Sequence, residues 1–185
     1  MHTLIKILTG FLLVFILFSC TYNSQEKTEN SQYAIQDSAT VAMAKTQIIH
    51  LLDSFNIAAA NADFNSYFNY FAEDAVFIGT DAAEYWTKPD FMLWAKPHFD
   101  CGKTWDFKAI ERHIYFSPDG NIAWFDELLN TQMKICRGSG VLIKHKKNWK
   151  IKQYVLSMTI PNSQTSTIVK LKAPIEDEII KNLTQ

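Results

Sequence analysis

Residues 121–160, NIAWFDELLNTQMKICRGSGVLIKHKKNWKIKQYVLSMTI, carry the clearest strand pattern of the chain. Apolar and polar side chains alternate through most of it, a pattern typical of strands that bury one face. Short polar segments interrupt the pattern, and a similar segment precedes it across the turn Ser117-Pro118-Asp119-Gly120. The predicted strands are 104–116, 121–129, 134–144 and 149–160. Long alternating strands joined by short turns predict a strongly curved antiparallel sheet.

Helical patterns precede these strands. Apolar residues recur at intervals of three and four from Val41 to Ala62, which predicts a long amphipathic helix. Asp63 is placed to cap a second, short helix, and Thr87 to cap a third that ends before Gly102. The predicted helices are 41–62, 64–71 and 88–101, with short strands at 76–80 and 85–86. Helices followed by a long meander predict an α+β fold with the helices on one face of the sheet.

The N-terminus has the features of an export signal. Ile7 to Phe18 is almost wholly apolar, but it is shorter than the about 20 residues that cross a bilayer, as in the core of a signal peptide. Leu17-Phe18-Ser19-Cys20 resembles the bacterial lipoprotein box, in which the cysteine is lipidated; an ordinary secretory signal is the alternative. We expect Cys20 to anchor the protein by lipid in the cell envelope, at the outer membrane or in the periplasm.

Composition divides the remaining chain. Residues 20–40 are polar and predict a flexible tether, residues 41–162 form one folded domain, and residues 163–185 form a tail that can hold a short helix from Ile175. The formal net charge is −1, so the chain lacks the basic field that holds nucleic acid. We expect no nucleic-acid partner.

Cysteine and histidine positions bear on redox and metal chemistry. Cys101 and Cys136 are either a disulfide, as extracytoplasmic proteins often form, or two free thiols, and their spacing does not decide between these. His98, Asp100 and Cys101 have metal-binding side chains, but they lie at one helix end without a second cluster. We expect neither a metal nor a cofactor.

Tryptophan and arginine are concentrated in one part of the chain. All five tryptophans and both arginines lie between Trp86 and Trp149. Tryptophan lines concave apolar sites, and arginine pairs with carboxylates in two-point geometry. The stretch therefore predicts a ligand cavity, although aromatic core packing and a structural ion pair such as Glu127 with Arg137 are alternatives. The candidate ligand-binding residues are Trp86, Trp94, Trp105, Arg112, Trp124, Arg137 and Tyr154.

Several segments carry a family resemblance. They are Phe71-Ala72-Glu73-Asp74-Ala75-Val76-Phe77, Ala123-Trp124-Phe125-Asp126-Glu127, Arg137-Gly138-Ser139-Gly140-Val141-Leu142 and Trp149-Lys150-Ile151. In order and spacing the chain resembles the nuclear-transport-factor-2-like (SnoaL-like) superfamily, in a bacterial lipoprotein branch, over residues 41–162. The resemblance implies a cone, in which a bent sheet is wrapped by three helices and a pocket opens at the wide end. It also implies a homodimer.

The superfamily includes ketosteroid isomerases, whose site needs a carboxylate base, a tyrosine and a protonated acid. The resemblance places the tyrosine at Phe55, the base at Gly79 and the acid near Gly140. None of these side chains supports that chemistry, so isomerase activity of this type is not expected.

Three hypotheses for function remain. The first is a domain that binds a small, partly apolar ligand, with one of the two arginines meeting an anionic or polar group. The second is an isomerase, cyclase or dehydratase that uses Asp81, Glu84 or Asp126 as its base. The third is an interaction module that dimerises through the open face of the sheet. The alternation of the strands leaves open which face lines the cavity.

Overall fold

The computed structural model describes residues 38–185, and the predicted signal peptide, Cys20 and most of the tether lie outside the described residues. The helices are α1 (Ser38–Ala60), α2 (Phe64–Asn69), α3 (Lys88–Asp100) and α4 (Thr165–Leu183), with a 3-10 turn at Asn162–Gln164. The strands are β1 (Phe71–Ile78), β2 (Tyr85–Thr87), β3 (Lys108–Phe116), β4 (Ile122–Thr131), β5 (Lys134–His145) and β6 (Asn148–Met158).

All six strands form one curved sheet in the order β2-β1-β6-β5-β4-β3. Strands β3 to β6 make the predicted antiparallel meander, so the α+β class is confirmed. The pair β1 and β6 is parallel, and the sheet is therefore mixed rather than antiparallel throughout. Parallel neighbours need a long connection, and here the connection comprises β2, α3 and β3 to β5.

Both predicted helix caps are present. The carboxylate of Asp63 accepts a hydrogen bond from the backbone N–H of Ser66 at 3.0 Å. The hydroxyl of Thr87 accepts one from the N–H of Asp90 at 3.4 Å. Each cap satisfies a backbone donor that the first turn of a helix leaves unpaired, which is why α2 and α3 begin where they do.

The core lies between α1, α2, α3 and one face of the sheet, which we call the inner face. Strand alternation sends every second side chain of β3 to β6 to this face. Buried inner-face residues include Ile114, Phe125, Leu129, Leu142, Ile151 and Leu156. The helices bury Ile48, Leu52, Phe55, Tyr67, Phe91 and Phe99 against them. The fifth tryptophan, Trp149, is also buried here.

The C-terminal helix α4 is longer than the short segment expected from Ile175. It begins at Thr165 and continues through Pro174. None of its residues is buried, and its exposed apolar side chains include Leu171 and Ile175. Within residues 38–185, no helix combines the length and the apolar character that crossing a membrane requires.

Candidate functional site

An aromatic pocket lies between the helices and the inner face of the sheet. Its volume is about 150 Å³. The lining residues are Phe55, Tyr67, Phe77, Gly79, Thr80, Glu84, Trp86, Phe91, Trp94, Trp105, Phe107, Gln132, Met133, Tyr154 and Leu156. Nine of these fifteen side chains are aromatic. The pocket is therefore a largely apolar site with a few polar groups, the usual composition of a small-molecule site.

The aromatic side chains of the lining hold one another in place. The ring centroids of Trp86 and Trp94 are 4.9 Å apart, and those of Phe77 and Phe91 are 4.1 Å apart. Trp105 packs edge-on against Tyr67, and their ring centroids are 5.6 Å apart. Such ring pairs add stability beyond their buried area. The rings thus form a continuous aromatic wall, with Trp94, 42% exposed, at its rim.

Glu84 is the charged residue of the lining. It ends a tight turn in which the N–H of Gly79 donates to its carbonyl at 2.9 Å. The N–H of Asp81 donates to the Glu84 carboxylate at 3.2 Å. A side chain at Gly79 would overlap this carboxylate, so the glycine leaves the space that Glu84 occupies. Among residues 38–185, no basic side chain forms an ion pair with Glu84.

A buried polar network lies behind the pocket. Glu127 is 1% exposed, and its carboxylate accepts a hydrogen bond from Arg112 Nε at 2.7 Å and from the Tyr154 hydroxyl at 3.1 Å. Arg112 Nη2 adds an ion-pair contact at 2.7 Å, and Nη1 donates to Asp53 on α1 at 2.8 Å. A Cβ at Gly138 would lie 2.5 Å from the Tyr154 hydroxyl, so this glycine makes room for the network.

Burial sets the protonation of this network. It raises the pKa of Glu127, and the charge of Arg112 only partly opposes that increase. Burial also raises the pKa of Tyr154, and the neighbouring Glu127 charge adds to it. Tyr154 therefore keeps its proton and donates a hydrogen bond to Glu127, while the guanidinium of Arg112 pairs with the carboxylates of Glu127 and Asp53. The network positions Tyr154 in the pocket wall and offers no free acid or base.

Three of the predicted site residues lie on the opposite face of the sheet, which we call the outer face. Trp124 stacks on Tyr115 with centroids 5.9 Å apart. Asp126 contacts His113 Nδ1 at 3.3 Å and Arg137 Nη1 at 3.8 Å. Because Phe125 and Glu127 point inward, their neighbours in β4 must point outward. The expectation that Trp124, Asp126 and Arg137 line the cavity is corrected accordingly.

The remaining predicted site residues are distributed as follows. Trp86, Trp94, Trp105, Tyr154 and Glu84 line the pocket, and Arg112 lies behind it. Asp81 is exposed, and its carboxylate accepts a hydrogen bond from the N–H of Ala83 at 2.8 Å. The ion pair suggested between Glu127 and Arg137 does not form, because Arg112 is the partner of Glu127.

The cysteines and metal-binding side chains play no part in this pocket. Cys101 is exposed and Cys136 is buried, and both are free thiols. In the described part of the chain, no three His, Cys, Asp or Glu side chains are close enough to hold a metal ion.

Most of the pocket residues that sequence reasoning missed are apolar. They are Tyr67, Phe77, Phe91, Phe107, Met133 and Leu156. Phe55, where the resemblance places the tyrosine of an isomerase, also lines the pocket. Their signal in the sequence is the same as that of core residues, namely an apolar side chain on the inner face of a helix or strand. Only the space left between them distinguishes a pocket from a core.

Comparison with known proteins adds a family and a fold. Residues 48–161 match the family model described as the SnoaL-like domain. No curated protein matches the chain.

Solved structures of similar fold come from several bacteria. A protein of the NTF2-like family from Streptomyces avermitilis, named as a suspected dehydratase, has a TM-score of 0.58 at 12% identity, covering 66% of this chain and 100% of its own. A suspected aromatic ring hydroxylase from Novosphingobium aromaticivorans has a TM-score of 0.56 at 14% identity, covering 65% and 92%. An NTF2-like protein from Cytophaga hutchinsonii has 0.53 at 15% identity, covering 62% and 98%. At these identities the likeness concerns the fold alone.

Proposed function

The chain belongs to the SnoaL-like family, and from this premise we propose that its domain binds a small, partly apolar molecule in the aromatic pocket. The family fold serves many chemistries, so the site and not the fold must carry the proposal. The observation that carries it is a cavity of about 150 Å³ with nine aromatic side chains in its lining. A pocket of this composition favours an apolar body with few polar groups.

The size of the pocket limits what it holds. An apolar cavity of about 150 Å³ admits a molecule the size of benzene. Phe125 packs behind Tyr154, with ring centroids 5.9 Å apart, and fills space that a larger cavity would use. One ring or a short branched alkyl group therefore enters the pocket, and any further part of the ligand lies at the rim beside Trp94.

Tryptophan fluorescence tests this proposal with benzyl alcohol as a neutral probe. We expect saturable quenching in the wild-type protein and about ten-fold weaker binding in Trp86→Ala, which removes a wall of the pocket. Trp124→Ala is the matched control, since it removes a tryptophan from the outer face. Equal effects of the two substitutions, or no saturable signal in the wild type, would contradict the proposal.

A second candidate function is proton transfer by Glu84. Its carboxylate occupies the space above Gly79, where the resemblance placed the base of an isomerase. Of the three carboxylates first considered, Asp81, Glu84 and Asp126, Glu84 lines the pocket. A carboxylate in an apolar site is suited to remove a proton beside a carbonyl group.

Hydrogen–deuterium exchange of cyclohexanone in D₂O, followed by NMR, tests this second candidate. The wild-type protein should accelerate exchange of the protons beside the carbonyl, and Glu84→Gln should abolish the acceleration without lowering the Tm. If the wild-type rate equals that of buffer alone, this candidate function is wrong.

We also propose that the protein is lipid-anchored through Cys20 in the cell envelope, at the outer membrane or in the periplasm. The support is the apolar segment Ile7 to Phe18, whose last two residues begin the box-like sequence Leu17-Phe18-Ser19-Cys20. Cells fed radioactive palmitate should label the wild-type protein and not Cys20→Ala. An unlabelled wild-type protein would favour the ordinary secretory signal.

A further inference from the structure

We infer that the ligand of the aromatic pocket is an organic cation, with an ammonium group beside Glu84 and a ring-sized apolar body against the tryptophans. This inference rests on the proposed binding function and adds the chemical class of the ligand. It replaces the earlier expectation that an arginine meets an anionic group, because neither arginine lines the pocket.

The charge inventory of the pocket has one sign. Glu84 contributes a carboxylate, and the remaining lining residues are aromatic, apolar or neutral polar. Lys88, which follows the pocket residue Trp86 by two positions, is held by Glu73 at 3.0 Å. Arg112 is held by Glu127 and Asp53. No basic side chain of the lining therefore balances the charge of Glu84.

Ligand binding itself makes this imbalance decisive. A molecule that fills the pocket removes water from the Glu84 carboxylate, and burying an unpaired charge is costly. An anionic ligand would add repulsion, and a neutral apolar ligand would leave the cost uncompensated. An ammonium group restores the lost interactions by donating charge-assisted hydrogen bonds to the carboxylate.

The aromatic wall favours the same class of ligand. The face of an aromatic ring attracts cations, and tryptophan does so best. Three tryptophans, Trp86, Trp94 and Trp105, share the lining with Glu84. The carboxylate and the indoles therefore select for positive charge together, whereas each alone is a weaker preference.

A metal ion does not fit this site. Calcium takes six to eight oxygen ligands, and the pocket offers one carboxylate. Within residues 38–185, no three His, Cys, Asp or Glu side chains are placed so that they could hold a metal ion together. The cation is therefore organic, with an apolar part that the aromatic side chains cover.

Three probes that share a benzyl or phenyl ring and differ in charge test the inference: benzylammonium, benzyl alcohol and benzoate. Calorimetric titration of the wild-type protein should give about ten-fold tighter binding of benzylammonium than of benzyl alcohol, with benzoate weakest. In Glu84→Gln the preference for benzylammonium should fall to less than about two-fold. Glu111→Gln, which neutralises an exposed acid on β3, should keep the wild-type preference.

The outcomes separate the two claims. If benzyl alcohol or benzoate binds at least as tightly as benzylammonium, the cation inference is wrong and the binding function stands. If the preference survives Glu84→Gln, the assignment to Glu84 is wrong. If none of the three probes binds, and circular dichroism shows a folded protein, the binding function fails and the inference fails with it.

Discussion

At the scale of single residues, glycines decide how the inner face of the sheet is filled. A Cβ at Gly140 would overlap the backbone carbonyl of Gln153 and lie 2.8 Å from the ring of Phe125. A Cβ at Gly79 would overlap the carboxylate of Glu84, at the end of a side chain, and lie 2.9 Å from the Cβ of Glu84. Backbone cannot yield in the way that a side-chain terminus can, so the same substitution has different consequences at these two sites.

Replacing Gly140 by alanine should therefore destabilise the domain by about 2 kcal/mol, within the usual range for overpacking. Urea unfolding at pH 7 measures this change. Gly79→Ala should cost less stability, because Glu84 can swing away, but it should weaken the binding of benzylammonium. A Gly140→Ala variant as stable as the wild type would show that β5 and β6 tolerate a wider separation.

Asp63 provides a second prediction at this scale, through the cap of α2. The hydrogen bond from Ser66 lowers the pKa of Asp63 from its ordinary value of 3.8. A lowered folded pKa means that the carboxylate stabilises the folded state above pH 3.8, and that this stability is lost as the pH falls through the folded pKa.

Asp63→Ala should thus have a lower Tm than the wild type at pH 7, and the difference should shrink below pH 3.8. Asp63→Asn is the control, because asparagine caps helices about as well as aspartate. It should keep most of the wild-type Tm at pH 7. A Tm difference between Asp63→Ala and the wild type that is unchanged at pH 3 would rule out the carboxylate as its source.

At the scale of elements, the buried network joins four of them. The carboxylate of Glu127 on β4 accepts hydrogen bonds from Arg112 on β3 and Tyr154 on β6. Arg112 also donates to Asp53 and so connects the strands to α1. The pKa of Glu127 is raised because burial disfavours its charged form more than the positive charge of Arg112 favours it. Replacing such a buried ion pair by apolar side chains of similar volume is often neutral or stabilising.

Glu127→Leu alone should lower the free energy of unfolding by about 3–5 kcal/mol, since it leaves Arg112 and the Tyr154 hydroxyl without their buried partner. The triple variant Arg112→Met, Glu127→Leu, Tyr154→Phe should regain most of this loss, because it also removes the two polar groups that the single variant leaves without their buried partner. Urea unfolding of both variants measures the difference. Equal stability of the single and triple variants would contradict this account.

At the scale of the whole molecule, the two faces of the sheet have different surroundings. The inner face packs against helices, whereas the outer face exposes Tyr115 and Trp124 at 47% and 45%. Exposed aromatic side chains are enriched at protein interfaces. We propose that a homodimer forms through this face, with the His113, Asp126 and Arg137 cluster at its polar part.

Trp124→Glu should weaken such a dimer by about thirty-fold, as the loss of a central aromatic contact does at other interfaces. Sedimentation velocity over a concentration series measures the dissociation constant. Leu93→Glu is the control, because Leu93 lies on α3 and is 78% exposed. If the wild-type protein is monomeric at 100 μM, the proposed dimer is wrong.

Local patterns in the sequence predicted the features that depend on neighbouring residues. Local patterns predict the caps at Asp63 and Thr87, the four long strands and the order of helices before the meander. Helices repeat with a period of 3.6 residues and strands with a period of two, so the spacing of apolar residues distinguishes them. The resemblance to the family predicted the fold into which these elements assemble. The curved sheet and the α+β class are accordingly confirmed.

Which of these side chains meet is seen only in the folded domain. The parity of β4 puts Glu127 inside and Trp124 outside, and a shift of one residue would exchange them. Arg112 rather than Arg137 reaches Glu127 because β3, and not β5, sends its arginine to the inner face. The carboxylate of Glu84 lies in the pocket lining because Gly79 has no side chain to occupy the same space. Such contacts depend on register and closure across distant segments, and no local pattern in the sequence records them.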